Sequence, residues 1–257
     1  MDDSAKLRFI FFLGFLLIFL CVEIKYAFHK KQSDRQSRWP TNLGFAVVSS
    51  LIIKALFPIG LLAAASLSAE KNWGLFQYFN ISNHWLTFIF SLLILDFFIY
   101  LQHVISHKVP VLWRIHRLHH SDLDLDVTTA LRFHPIEIFL SFLFKAIIII
   151  AFGISIEAVI VFEILLNSFA MFNHTNLAIL DRIEIMLRKL IVTPQMHITH
   201  HSVETTEQNK NFGFCLSIWD FIFKTHLRTP TPDTIGLNTF RKPSEQSFWS
   251  LLKQPFY

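Results

Sequence analysis

The sequence predicts an all-α fold, a polytopic membrane helical bundle with a helical cytoplasmic cap holding a histidine-rich dinuclear metal site. Three observations predict it. Of the 257 residues, 53% are hydrophobic, 29 are Phe and only 7 are Gly; a chain embedded in lipid turns apolar side chains outward as well as inward. Apolar runs recur at lengths of about 20 residues, the length of helix that crosses ~30 Å of hydrocarbon. Ten of the 13 histidines fall between residues 103 and 201.

One integral-membrane domain over 1–257 is expected, with spans near 9–28, 43–68, 84–107, 136–153 and 156–172. The first could be a signal peptide, but no small-residue cleavage site follows it, so it reads as a retained helix. The apolar stretch 136–173 is too long for one crossing, and Gly153-Ile154-Ser155 divides it into a hairpin. Lys54, Asp96, Lys145, Glu157 and Glu163 interrupt these runs, and of them Asp96 alone is assigned a functional role. Lys25, Lys30, Lys31, Arg35 and Arg38 follow the first span, against only Lys71 near 69–83. The excess of Lys and Arg on cytoplasmic loops then sets the metal site on the cytoplasmic side. Residues 108–135 and 174–257 form the cap.

The net charge of +4 is accounted for by such loops. Clustered bases with exposed aromatics on a polar surface, the footprint of a nucleic-acid binder, are absent. Two cysteines, Cys21 and Cys215, make neither a disulfide framework nor a cysteine metal site.

His103 and His107 are spaced i,i+4, so both lie on one helix face, and Asp96 and Tyr100 extend the stripe. His116, His119 and His120 form HxxHH, as do His197, His200 and His201. In each cluster three imidazoles can address one volume. Imidazole binds Fe, Zn, Cu and Ni, and neutral donors leave the metal cationic. Eight histidines suit two metals better than one, since a single zinc site needs about four ligands.

These motifs, in this order, resemble the fatty acid hydroxylase or sterol desaturase superfamily of membrane di-iron enzymes. Asp96-Phe-Phe-Ile-Tyr100 leads into His103 and His107, followed by Leu112-Trp113-Arg114-Ile-His116-Arg-Leu-His119-His120. Arg132-Phe133-His134-Pro135-Ile136-Glu137 resembles the family's RFHPxE segment, Asn173-His174-Thr175-Asn176 its NHxN element, and Thr193-Pro194-Gln195-Met196-His197 opens the last cluster. Asn211-Phe212-Gly213 and Leu216-Ser217-Ile218-Trp219-Asp220 resemble its closing signature, so the likeness covers roughly 35–226. Departures are Val104 in place of Arg, Lys224 where FGT is usual, and a longer Glu204–Lys210 segment.

The resemblance implies two Fe ions held by His103, His107, His116, His119, His120, His174, His197, His200 and His201. It places His134 beside the site. Ligating imidazoles need partners for their second nitrogen, and Asp96, Glu137, Asn173, Asn176 and Asp220 are the candidates. His29, His84 and His226 lie outside the set. The implied reaction is O2-dependent hydroxylation of a lipid C–H bond, with desaturation of the same lipid class as the alternative. Phe97, Phe98, Tyr100 and Phe133 are expected to line the substrate tunnel. With no HPGG, CxxC or GxGxxG segment, electrons are expected from a separate protein of cytochrome b5, ferredoxin or rubredoxin type, received on Arg182, Arg188, Lys189 and Lys210.

From other classes, a polytopic zinc-binding transporter or sensor predicts ligands along a transmembrane path rather than clusters at helix ends. A hydrolytic di-zinc enzyme would use bridging carboxylates, for which Asp122, Asp124 and Asp126 are the only local source.

Overall fold

The computed structural model describes residues 3–29 and 34–257. Helix α1 (Asp3–Lys25) leads to α2 (Arg35–Leu56), α3 (Leu61–Lys71), a single turn α4 (Leu75–Tyr78) and the long α5 (His84–Lys108). Pro110, whose missing N–H suits the first helical position, starts α6 (Pro110–His120), and a 3₁₀ turn over Val127–Leu131 precedes α7 (Pro135–Phe152) and α8 (Ile156–His174). The remainder is short: α9 (Asp181–Leu187), α10 (Pro194–His200), α11 (Thr205–Gln208), α12 (Ile218–Ile222) and α13 (Phe248–Lys253). Among the described residues no β-strand forms, only two isolated bridges.

Five segments are long and apolar enough to cross a membrane, α2 to α4 counting as one. Their outer faces carry exposed Phe9, Ile18, Leu51, Phe90 and Ile147, which water would penalise and lipid accepts. Trp73, Tyr78 and Trp85 stand exposed at the end remote from the histidines, where amphipathic rings anchor helices at an interface. The chain is a multi-pass membrane protein. Its main core is Leu61 and Ala65 of α3, Leu95 and Ile99 of α5, Ile149 of α7 and Phe162 of α8. Helix α1 lies on α8 through a ladder of phenylalanines that ends at the Phe19–Phe172 ring contact.

The helix expected over 43–68 differs. It is two helices, because Pro58 disfavours the helical conformation for Phe57, which sits at φ −134°, ψ 75°. Helix α2 also starts earlier, capped by Asp34, and of its polar first turns Arg38 and Asn42 are buried rather than solvated. Arg38 is therefore no loop charge: its guanidinium bonds Asp122 and Asp126. Arg35 pairs with the buried Glu23. Lys30 and Lys31 lie outside the described residues.

At the remote end α7 stops at Gly153, whose φ of +73° is open to glycine and strained for other residues, and Ser155 caps α8. Gln77 donates to the Gly153 carbonyl, and its side-chain oxygen lies only 1.6 Å from where a Cβ would stand, so a larger residue there would push Gln77 aside.

Candidate metal centre

Four elements converge on the end of the bundle opposite Gly153. Helix α5 brings His103 and His107, α6 brings His116, His119 and His120, α8 ends on His174, and α10 with its cap brings His197, His200 and His201. They sort into two groups, His103, His107, His116, His120 and His200 in one and His119, His174, His197 and His201 in the other. Within each, candidate ligand nitrogens lie within 4.8 Å of one another. Metal–nitrogen bonds of ~2.0–2.1 Å need spacings of roughly 3–4 Å. The groups abut, with the His120 and His201 rings stacked at 4.5 Å.

Hydrogen bonding fixes several tautomers. His103 Nδ1 lies 2.8 Å from the Phe212 carbonyl, His200 Nδ1 2.8 Å from that of Lys210, and His174 Nδ1 2.6 Å from that of Ala170. A carbonyl only accepts, so each Nδ1 carries the proton and each Nε2 a lone pair. Yet His103 Nε2 and His200 Nε2 are 3.0 Å apart, and His174 Nε2 faces His119 Nε2 at 3.0 Å and His197 Nε2 at 3.1 Å. The His103–His200 contact sets one lone pair against another, and neither can donate. The buried Nε2 atoms of His107, His116 and His120 have no protein partner at all.

Protonation would not relieve this. Burial, reinforced by neighbouring imidazoles, pushes His119, His120, His197 and His201 well below the ordinary histidine value. Burial likewise lowers His200 to about 3. Neutral rings aimed at a common centre fit a shared cation, and the all-nitrogen donor set suits Fe, Zn, Cu or Ni.

The residues proposed to support the rings fall differently. Glu137 Oε1 lies 2.6 Å from His116 Nδ1 and orients that ring directly. Asp220 acts one step removed, accepting from the Phe212 and Gly213 amides and the Thr225 hydroxyl, and so holds the carbonyl that meets His103. A Cβ on Gly213 would press within 2.8 Å of that carboxylate. Asp96 accepts from the Cys215 and Leu216 amides and the Trp219 indole, and Asn173 donates to the Phe214 carbonyl. Asn176 touches neither group; it binds the Phe28 and His29 backbone and ties α1 to the end of α8. His134 caps α7 and meets the Leu252 carbonyl through Nε2, outside both groups.

Sequence reasoning missed the carbonyls of Phe212 and Lys210 and the buried Asn211, whose side chain bonds the Met196 and Leu227 carbonyls. The NFG motif was the available signal, because Asn211 sits at φ +55°, where Asn is tolerated. Asp122 and Asp126 are not metal bridges. Burial raises Asp122, but Arg38 and Arg132 outweigh it and hold the carboxyl below its usual range.

A cavity of about 900 Å³ runs from His103, His116 and Glu137 between α1, α2, α7 and α8. Of the four aromatics expected along it, only Phe133 lines it, stacked on His119 at 4.3 Å. Phe97 and Tyr100 instead pack on Phe223, and Phe98 on Phe144 and Phe152. Lys54, Lys145 and Glu163, given no role from sequence, do line it. Arg188 is buried on Glu184 and leaves the basic face to Arg182, Lys189 and Lys210.

The fatty acid hydroxylase family profile matches residues 88–225. Ornithine lipid hydroxylase OlsE of Rhizobium tropici is 29% identical over 168 residues, covering 65% of this chain and 50% of that protein. Alkylglycerol monooxygenase of Homo sapiens is 32% identical over 156 residues, covering 60% and 34%, and that of Caenorhabditis elegans 27% identical over 248, covering 92% and 47%. The chain thus spans half or less of the length of these relatives. No solved structure matches it. The matched segment opens in α5 before His103 and closes at Thr225, holding every histidine of both groups: the chain belongs to the fatty acid hydroxylase family.

Proposed function

We propose that this chain is a di-iron oxidoreductase that uses O2 to hydroxylate a C–H bond of a lipid. The observation that carries the reading is the pair of all-histidine groups closing the inner end of a cavity between membrane-spanning helices. Two bound iron ions would supply the redox chemistry that turns O2, with two external electrons and two protons, into one hydroxyl on the substrate and one water. The nine histidines hold the ions, and their neutrality leaves them cationic. Glu137 fixes the ring of His116, and the Phe212 and Lys210 carbonyls fix those of His103 and His200. Phe133 walls the cavity beside His119, so an alkyl chain meets the site on a dry, apolar side.

Hydroxylation is favoured over desaturation because the relatives in hand are a lipid hydroxylase and a monooxygenase. The single domain is proposed to place the histidine end on the cytoplasmic side, where Lys25, Lys108, Arg114, Lys189 and Lys210 gather. A separate electron carrier of cytochrome b5, ferredoxin or rubredoxin type would dock there on Arg182, Lys189 and Lys210.

Metal analysis with Mössbauer spectroscopy on anaerobically purified protein tests the centre, with two irons per chain expected; a single zinc would refute it. Lipid profiling of cells with and without the gene tests the reaction, and a hydroxylated lipid present only with the gene is expected.

A further inference from the structure

The cavity that ends on His103 and His116 is ionic at its other end. Arg8 of α1, Lys54 of α2, Lys145 of α7 and Glu163 of α8 all line it. Arg8 pairs with Glu163, and among the described residues Glu163 is also the one electrostatic partner of Lys145. Lys54 is exposed at the mouth. Three basic side chains against one carboxylate at this end of the cavity leave basic groups in excess within a spanning bundle, where ionisable residues are costly and mark a function. These charges are set back from the histidines. Lys145 stands ten residues along α7 from Pro135, and Glu163 eleven residues before His174. At 1.5 Å of rise per residue that is ~15 Å.

Resting on the reading of the chain as a lipid oxygenase, we propose that Lys145 and Lys54 bind the anionic head of a single-chain amphiphile, a carboxylate or a phosphate monoester. Its alkyl chain then runs down the cavity to the histidines. Glu163 is paired with Arg8, so among the charged residues at this end of the cavity Lys145 and Lys54 are left to meet an anion. The volume, about 900 Å³, falls within the range of small-ligand sites. The separation acts as a ruler. An extended chain covers ~15 Å in about a dozen bonds, so attack falls at mid-chain rather than beside the head group.

The test is binding without turnover, on the full chain in detergent under nitrogen. Affinities are measured by thermophoresis for three ligands of equal chain length: palmitate, hexadecyl phosphate and hexadecanol. At least one anion is expected to bind roughly tenfold or more tighter than the alcohol, as a hydrogen-bonded charge contact predicts. The tighter anion identifies the head group. Lys145→Met should erase that preference and Lys145→Arg keep most of it, while Lys71→Met, at an exposed site elsewhere, leaves it intact. Equal binding of all three ligands by the unaltered protein overturns the proposal, and this comparison requires no variant to fold. A preference that survives Lys145→Met combined with Lys54→Met overturns it as well. Absence of iron or of a hydroxylated product would sink the oxygenase reading and leave the binding result standing.

Discussion

Glu137 is the one carboxylate among the described residues that touches a histidine of either group. A carboxylate oxygen only accepts, so this contact turns the Nδ1–H of His116 toward Glu137 and leaves Nε2 to face the centre. Glu137→Gln keeps the shape and loses the charge, so the metal dissociation constant should rise roughly 10–100-fold, read by competition with a chromophoric chelator. An unchanged constant would mean that the ring is oriented by packing alone. A second residue-scale prediction concerns Lys224, held at φ +58° at the position where the family resemblance leads one to expect glycine. Lys224→Gly should stabilise the protein by about 1 kcal/mol, seen as a higher unfolding temperature, because a left-handed conformation strains any residue with a Cβ. Acid should act through the rings. Burial first, then the neighbouring imidazoles, hold His119, His120, His197 and His201 far below the value of an unfolded histidine, and burial takes His200 to about 3. The unfolded chain therefore binds protons that the folded one refuses. Metal-stripped protein should keep its stability above about pH 7 and lose it as the pH falls below ~6.5, by up to ~1.4 kcal/mol per pH unit for each ring. Thermal unfolding of chelator-treated protein across about pH 5–8 checks it, and a flat profile would contradict the burial.

At the scale of elements, the polar start of α2 carries more than its composition suggests. The Arg38 guanidinium bonds both Asp122 oxygens at 2.6 and 2.8 Å and Asp126 at 2.8 Å, and Asn42 donates to Asp122 and Thr128. This knot fixes the segment between His120 and the 3₁₀ turn, and hence the end of α6 on which three of the histidines stand. Arg38→Met should destabilise by about 3–5 kcal/mol, since it abandons buried carboxylates. Arg38→Lys should restore little, because one ammonium cannot reproduce the fork. Unfolding temperatures of the two variants measure both effects. The same knot explains why sequence placed the second helix at 43: a hydropathy window sees Arg35, Arg38 and Asn42 as loop, and only tertiary pairing makes them helix. The HxxxH and HxxHH clusters were readable because local helical spacing is enough to gather them. His174 was reachable through the NHxN likeness alone, being 54 residues from His120 and 23 from His197 in the chain. Backbone carbonyls as ring partners, and the ionic end of the cavity, depend on contacts between distant elements that no local pattern encodes.

For the molecule as a whole, the two histidine groups would act as staples with metal bound. Helix α5 joins only the first group and α8 only the second, whereas α6 and α10 contribute to both. Two cations would therefore clamp the short α6 and α10 onto the ends of the two long spans. The hydrophobic core of α3, α5, α7 and α8 lies elsewhere and does not depend on the clamp. Metal should then stabilise unevenly. Restoring Fe²⁺ anaerobically to stripped protein at about a hundredfold over its dissociation constant should add ~2.7 kcal/mol per site. The amides of α6, α10 and the 210–217 segment should gain the most protection from hydrogen exchange, because the Lys210 and Phe212 carbonyls are fixed through His200 and His103. Those of α3 and the Gly153 hairpin should scarcely change. Equal protection throughout would mean that the bundle and the histidine layer unfold as one unit, and no protection would mean that packing alone already orders the rings.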